Sequence, residues 1–215
     1  LRYDGGEKPL VFLPENLYEG SFPKAKSVIT TPRVTFNGAL TVNGKVINID
    51  DWVGSENHNW GSQHTNQYAW GQVVGFDNAP DVFMECITAR VKLGPIYSPW
   101  LTIITLRDGN RDILLNGLLQ AVKNRGKYEF FDWQFGGKQG DITVSGHITG
   151  AAKEFVGLTY YNPPGGSNTC LNSKIACCEL TLSEKGKPER VLVSKSGCAF
   201  EILTARTDHK IPVVA

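Results

Sequence analysis

Apolar and polar positions alternate with a period of two along most of this chain. Arg33-Val-Thr-Phe-Asn-Gly-Ala-Leu-Thr-Val42 shows the pattern, followed by Asn43-Gly44 and Lys45-Val-Ile-Asn-Ile-Asp50. Asn-Gly supplies the left-handed residues of a two-residue hairpin turn. That turn sets Leu40 opposite Ile47 and Gly38 opposite Ile49, with Phe36, Leu40, Ile47 and Ile49 on one face. Further extended segments are predicted near 68–76, 83–93, 100–107, 111–121, 127–135, 141–149, 153–161, 171–183, 190–195 and 198–204. The 111–121 segment reads equally as helix. In 141–149, Ile142, Val144 and Ile148 share a face and His147 falls on the other, outward one. Many short antiparallel strands at close spacing predict an all-β barrel or sandwich. The barrel is favoured because closure removes sheet edges and encloses a small ligand.

Composition narrows the classes of function. Of 215 residues, 41% are hydrophobic and 20% charged, the balance of a globular chain, with a formal net charge of +1. The chain lacks a basic stripe, which argues against nucleic acid. No apolar run reaches the roughly 20 residues of a membrane-spanning helix. Leu1 opens a loop-rich stretch through Glu19, which reads as the start of a fragment or a processed chain. The five cysteines, Cys86, Cys170, Cys177, Cys178 and Cys198, lack a CxxC spacing, and adjacent Cys177 and Cys178 are poorly placed to bridge each other. Buried free thiols are expected, hence a reducing setting, cytoplasmic or at the periphery of a membrane. The sequence has neither a metal-ligand spacing nor a Gly-rich phosphate loop, and no metal or cofactor is expected.

The segment Asp51–Gln72 holds three Trp, two His, one Tyr and six amide side chains in 22 residues. Such a mixture suits a cavity wall, with aromatic faces for an apolar ligand and polar groups to orient it. Within it, His58-Asn-Trp-Gly61, His64 and Tyr68-Ala-Trp-Gly71 resemble bacterial tocopherol cyclase-like proteins. These belong with the carotenoid 1,2-hydratase (hydroxyneurosporene synthase) and plant tocopherol cyclase superfamily. The resemblance extends through Ser21-Phe-Pro-Lys-Ala-Lys26, Thr88-Ala-Arg-Val-Lys-Leu-Gly-Pro95 and Ser98-Pro-Trp-Leu101, roughly residues 17–205. It implies two lipocalin-like halves in one polypeptide, with a ligand site in a barrel or between the halves. On that analogy residues 1–50 end an N-terminal half and lead to a linker. Residues 51–215 then form the C-terminal, lipocalin-like antiparallel barrel.

The resemblance also implies a chemistry. Hydration of an alkene and cyclisation of a prenyl chain both begin with protonation of a carbon–carbon double bond and end with capture of the carbocation by oxygen. Such a site needs a positioned acid in a dry cavity and aromatic faces toward the cation. Glu85 shares a strand face with Phe83, Ile87 and Ala89, where desolvation would keep a carboxyl protonated. The alternative is an outward face, or pairing with an arginine. Glu56 is a second candidate acid. The resemblance implies proton relay by His58 and cation stabilisation by Trp60; a barrel-end plug is the competing reading of Trp60. Trp60, His64, Tyr68, Trp70, Gln72 and Trp100 are the expected ligand contacts. Tyr68, Trp70 and Gln72 share one face of their strand, and the small Ala69, Gly71 and Val73 face another layer. His209 lies in a polar tail and is expected in solvent.

The expected partner is a hydrophobic small molecule, prenyl, carotenoid or polyketide-like, with contact to a membrane surface as a further possibility. Cofactor-independent hydration, cyclisation or isomerisation competes with a non-catalytic role as a lipocalin-like carrier.

Overall fold

The computed structural model describes residues 1–214. Its strands are β1 (Arg2–Asp4), β2 (Leu10–Val11), β3 (Ala25–Val42), β4 (Lys45–Gly61), β5 (Gln67–Phe76), β6 (Ala79–Arg90), β7 (Lys92–Leu93), β8 (Ile96–Tyr97), β9 (Leu101–Asp108), β10 (Arg111–Leu115), β11 (Arg125–Glu129), β12 (Asp132–Gln139), β13 (Ile142–Thr149), β14 (Val156–Tyr161), β15 (Ser167–Glu184) and β16 (Arg190–Thr204). One short α-helix, α1 (Leu118–Lys123), follows β10. The chain is thus all-β and lipocalin-like. A ten-stranded antiparallel sheet runs β10-β9-β6-β5-β16-β15-β13-β12-β11, with β14 added to β15. A smaller sheet holds β1, β3 and β2, with β4 on β3.

The large sheet rolls around a filled interior. Trp133, Phe200, Ile148, Met84, Ile104 and Leu180 are each at most 2% exposed inside it. Across that interior, Trp133 Nε1–H on β12 donates to Thr88 Oγ1 on β6 at 3.0 Å. Asn124, just after α1, donates to the Thr102 and Leu115 carbonyls at 2.8 and 3.0 Å. The small residues of β5 make this rolling possible. A Cβ on Gly71 would stand 2.5 Å from Ile148 Cδ1 and 3.2 Å from Trp133 Cζ3, so only glycine admits both side chains. The Ala69-Gly71-Val73 face therefore lies against the barrel's own core.

The small sheet packs on the outside of the barrel. Leu10, Phe12 and Ile29 are buried against Phe83, Val74, Ile87 and Ile103 of the outward faces of β5, β6 and β9. Arg107, 5% exposed, fastens this layer. It donates to Asp112 at 2.6 and 3.0 Å and to the Lys8 and Pro9 carbonyls at 2.5 and 3.4 Å. Asn116 Nδ2 donates to the Val11 carbonyl at 3.2 Å.

The Asn43-Gly44 hairpin has the expected register, Leu40 opposite Ile47 and Gly38 opposite Ile49. It is longer than its pattern suggests. β4 runs unbroken past residue 50, so the change of sheet falls at 62–66 and not at 50/51. The two readings of 111–121 are both right in part, strand to Leu115 and helix from Leu118. The 127–135 segment is two strands joined at Phe130-Phe131, and the 190–195 and 198–204 segments are one. All five cysteines are free, four of them buried. His147 is exposed and contacts Asp132, whereas His209 is buried at 8% exposure against Phe130, contrary to its expected place in solvent. No described helix is long and apolar enough to cross a membrane.

Candidate functional site

A cleft of about 490 Å³ lies between the two layers, within the usual size of a small-molecule site. Its barrel wall is the outward face of β5, β6, β9 and β16, including Tyr68, Trp70, Glu85, Ile87, Ile103 and Glu201. The facing wall comes from the N-terminal layer, including Phe12, Leu13, Ser27, Asn59 and Trp60. The site therefore lies outside the rolled sheet, not within it. Of the two expected places for a ligand, within a barrel or between halves, the barrel interior is occupied by Trp133, Phe135, Phe155 and Phe200.

Glu85 forms the floor and is 0% exposed. Its position follows from strand parity: Phe83, Glu85, Ile87 and Ala89 face outward, while Met84, Cys86 and Thr88 point into the barrel. Three N–H groups converge on its carboxyl. Asn57 Nδ2 and Gln72 Nε2 donate to Oε2 at 2.6 and 2.7 Å, and Trp70 Nε1 donates to Oε1 at 3.1 Å. Ser55 Oγ lies 2.9 Å from both the Asn57 and Gln72 amide oxygens, and Gln72 Nε2 also reaches Asn57 Oδ1 at 3.2 Å. Residues from β4, β5 and β6 thus share one network, a polar joint between the layers. Burial pushes the Glu85 carboxyl above its ordinary range. The three donors pull it down without cancelling that effect, and the negative charge of Glu201 adds to the rise.

A second polar pole stands at Glu201, diagonally across β5. The register pairs Gln72 with Glu85 and Trp70 with Glu201. Glu201 Oε1 accepts from Asn172 Nδ2 at 2.6 Å and from Lys174 Nζ at 3.0 Å. Its Oε2 has only long contacts, with Tyr68 Oη at 3.4 Å and Cys170 Sγ at 3.7 Å. Burial raises the Tyr68 and Tyr160 hydroxyls and pushes the Cys170 thiol up to about 12, so all three stay protonated at neutral pH. The Lys174 ammonium stands 5.5 Å from the centroid of the Trp70 ring.

The expected site residues divide sharply. Glu85, Trp70 and Gln72 form one hydrogen-bonded unit, and Tyr68 and His64 line the cleft. His64 packs 5.7 Å from Tyr160. Trp60 reaches the cleft, with its ring stacked on Tyr18 at 5.8 Å and His58 at 5.2 Å. His58 itself is exposed, on the face of β4 opposite Asn57, and does not share a relay with Glu85. Glu56 is also exposed; it accepts from Tyr3 Oη at 3.1 Å. Trp100 stands outside the cleft, edge-on to Tyr128 and against Arg90. At Trp70, one of the expected ligand contacts, Lys174 already stands over the ring and competes there with any cationic group.

Asn57, Glu201, Asn172, Lys174 and Tyr160 were not anticipated. For Glu201 a signal was present. Ala199-Phe-Glu-Ile-Leu203 sets a carboxylate in an apolar strand, the same pattern that singled out Glu85.

No family model matches the chain, and no curated protein matches it. Among solved structures it is similar to kievitone hydratase from Nectria haematococca, with 12% identity and a TM-score of 0.50 over 84% of this chain and 53% of that one. It is also similar to a protein of Nitrosomonas europaea provisionally named AttH, with 12% identity and a TM-score of 0.49 over 94% of this chain and 60% of the other. The chain spans about half the length of the first. The likeness to kievitone hydratase is one of fold.

Proposed function

We propose that the chain binds an apolar, lipid- or isoprenoid-like molecule in the cleft and that Glu85 is the general acid for hydration or cyclisation of a carbon–carbon double bond. The observation that carries this reading is a fully buried carboxyl, shifted toward its protonated form, on the floor of an aromatic-walled cleft. In the step, the carboxyl O–H proton passes to one alkene carbon and the π electrons form the new C–H bond. The other carbon becomes a cation. A water, or a hydroxyl of the same molecule, adds through oxygen, and its surplus proton returns to the Glu85 carboxylate. The Glu201 carboxylate and the Tyr68 ring supply negative potential to the cation. The fold shared with a hydratase agrees with this reading without fixing it.

A second reading, a carrier without chemistry, is favoured by the three N–H donors on Glu85, since such donors hold a carboxylate ionised. The test begins by extracting the lipid bound to purified chain and identifying it by mass spectrometry. The wild type converts that molecule or an unsaturated precursor, and Glu85→Gln binds it without converting it. Equal conversion by Glu85→Gln refutes the acid. Binding without conversion by the wild type establishes the carrier.

A further inference from the structure

The far end of the cleft carries a chemistry beyond its part in the step at Glu85. Glu201 is 15% exposed in its side chain and lines the cleft, whereas its counter-ion Lys174 is 61% exposed and does not line it. Both good hydrogen bonds to Glu201 fall on Oε1. Contacts of 3.4 and 3.7 Å leave Oε2 with acceptor capacity to spare. Among the described residues lining the cleft, Lys26 is the one cation. Its ammonium is tied to the backbone carbonyls of Tyr18, at 2.9 Å, and Gly20. An anionic ligand head would therefore meet a carboxylate with no free cation to answer it.

Resting on the proposal that an apolar molecule occupies the cleft, we infer that Glu201 is a specificity residue. It selects ligands whose apolar body carries a neutral hydroxyl, received by Oε2, and rejects those ending in a carboxylate. A hydroxyl proton on a partly buried carboxylate makes a charge-assisted hydrogen bond, whereas two carboxylates there repel each other at low local dielectric. Lys174 tempers that repulsion from outside, and Asn172 fixes the rotamer by holding Oε1.

Nile red, a neutral apolar dye, serves as the reporter of the cleft in the 215-residue chain. Retinol, retinyl methyl ether and retinoate, which share one apolar body, compete for it at pH 7.5. Retinol displaces the dye at concentrations at least about tenfold below the other two, the difference made by one hydrogen bond to a charged group. Glu201→Gln removes the charge and narrows the retinol-to-retinoate ratio to within about threefold, mainly by improving retinoate binding. Lys174→Met leaves Glu201 without its counter-ion and moves the ratio the other way, so the conclusion does not depend on one variant folding. Equal displacement by alcohol and acid in the wild type overturns the inference, as does an unchanged ratio in either folded variant. Failure of Nile red to bind, or of every competitor to displace it, defeats the occupancy of the cleft itself and the inference with it. The two failures are thus distinct.

Discussion

The indole N–H of Trp70 donates to Glu85 Oε1 at 3.1 Å while Lys174 stands over the same ring, 5.5 Å from its centroid. One side chain thus links a buried acid to an ion pair at the other end of the cleft. Trp70→Phe keeps the apolar wall but removes a donor from Glu85. Its carboxyl then titrates higher than in the wild type, because one N–H that favoured the charged form is gone. Carbon-13 NMR of the labelled Glu85 carboxyl checks the direction, and a value equal to or below the wild-type one contradicts it.

Glu85 also makes stability depend on pH. Its folded value lies above the ordinary 4.5, so between 4.5 and that folded value the native state holds more protons than the unfolded chain. The Glu85 contribution to stability is therefore complete below 4.5, declines as pH rises through the window, and levels off above it. Glu85→Gln lacks this decline. Urea midpoints of both proteins at half-unit pH intervals measure it, and parallel curves through the window would refute the shift.

His58→Ala changes stability by no more than about 0.5 kcal/mol, as for a surface substitution, and leaves turnover of the bound lipid unaltered. Its exposure and its stack on Trp60 at 5.2 Å give it no path to Glu85. A loss of turnover comparable to that of Glu85→Gln would return His58 to the chemistry.

Gly71→Ala tests how full the barrel is. The added methyl meets Ile148 Cδ1 at 2.5 Å, and overpacking of this kind costs about 1–3 kcal/mol. Ile148→Val deletes that methyl group, so the double variant loses less than the sum of the two singles. Denaturation midpoints of the four proteins decide, and strict additivity would show that the two sites do not touch.

Arg107→Met unfastens the N-terminal layer. It forfeits the Asp112 pair and the bonds to the Lys8 and Pro9 carbonyls, at about 2–4 kcal/mol. Because Phe12 and Leu13 line the cleft, Nile red affinity falls together with resistance of residues 1–14 to proteolysis. Unchanged cleavage and unchanged affinity would show that Arg107 holds only its own strand.

Local signals carried far in this chain, and failures came where tertiary packing overrode them. The Asn43-Gly44 turn set a hairpin register legible residue by residue, and strand parity placed Glu85 with Ile87 and Ala89. Parity alone does not say whether a face points into a barrel or away from it. That was decided by Gly71, whose missing Cβ admits Trp133 and Ile148 from distant strands. The family resemblance gives His58 the proton relay, yet Asn57 is the residue that turns inward to Glu85. The turn at Phe130-Phe131 has no signal in the sequence, because it carries two aromatic residues and no glycine. Phe131 takes a φ of 69°, an uncommon conformation for a bulky residue, and packs 4.8 Å from Phe155.

A barrel filled by its own side chains leaves the chamber to the seam between the layers. The chamber behaves as the gap of a vice, whose fixed jaw is a rolled sheet with its own centre and whose other jaw is a hairpin sheet docked by a few apolar side chains and Arg107. Substitutions on the docked jaw can widen, narrow or re-line that gap while the filled centre of the fixed jaw goes undisturbed, so the shape of the chamber can change without a change in the core of the scaffold.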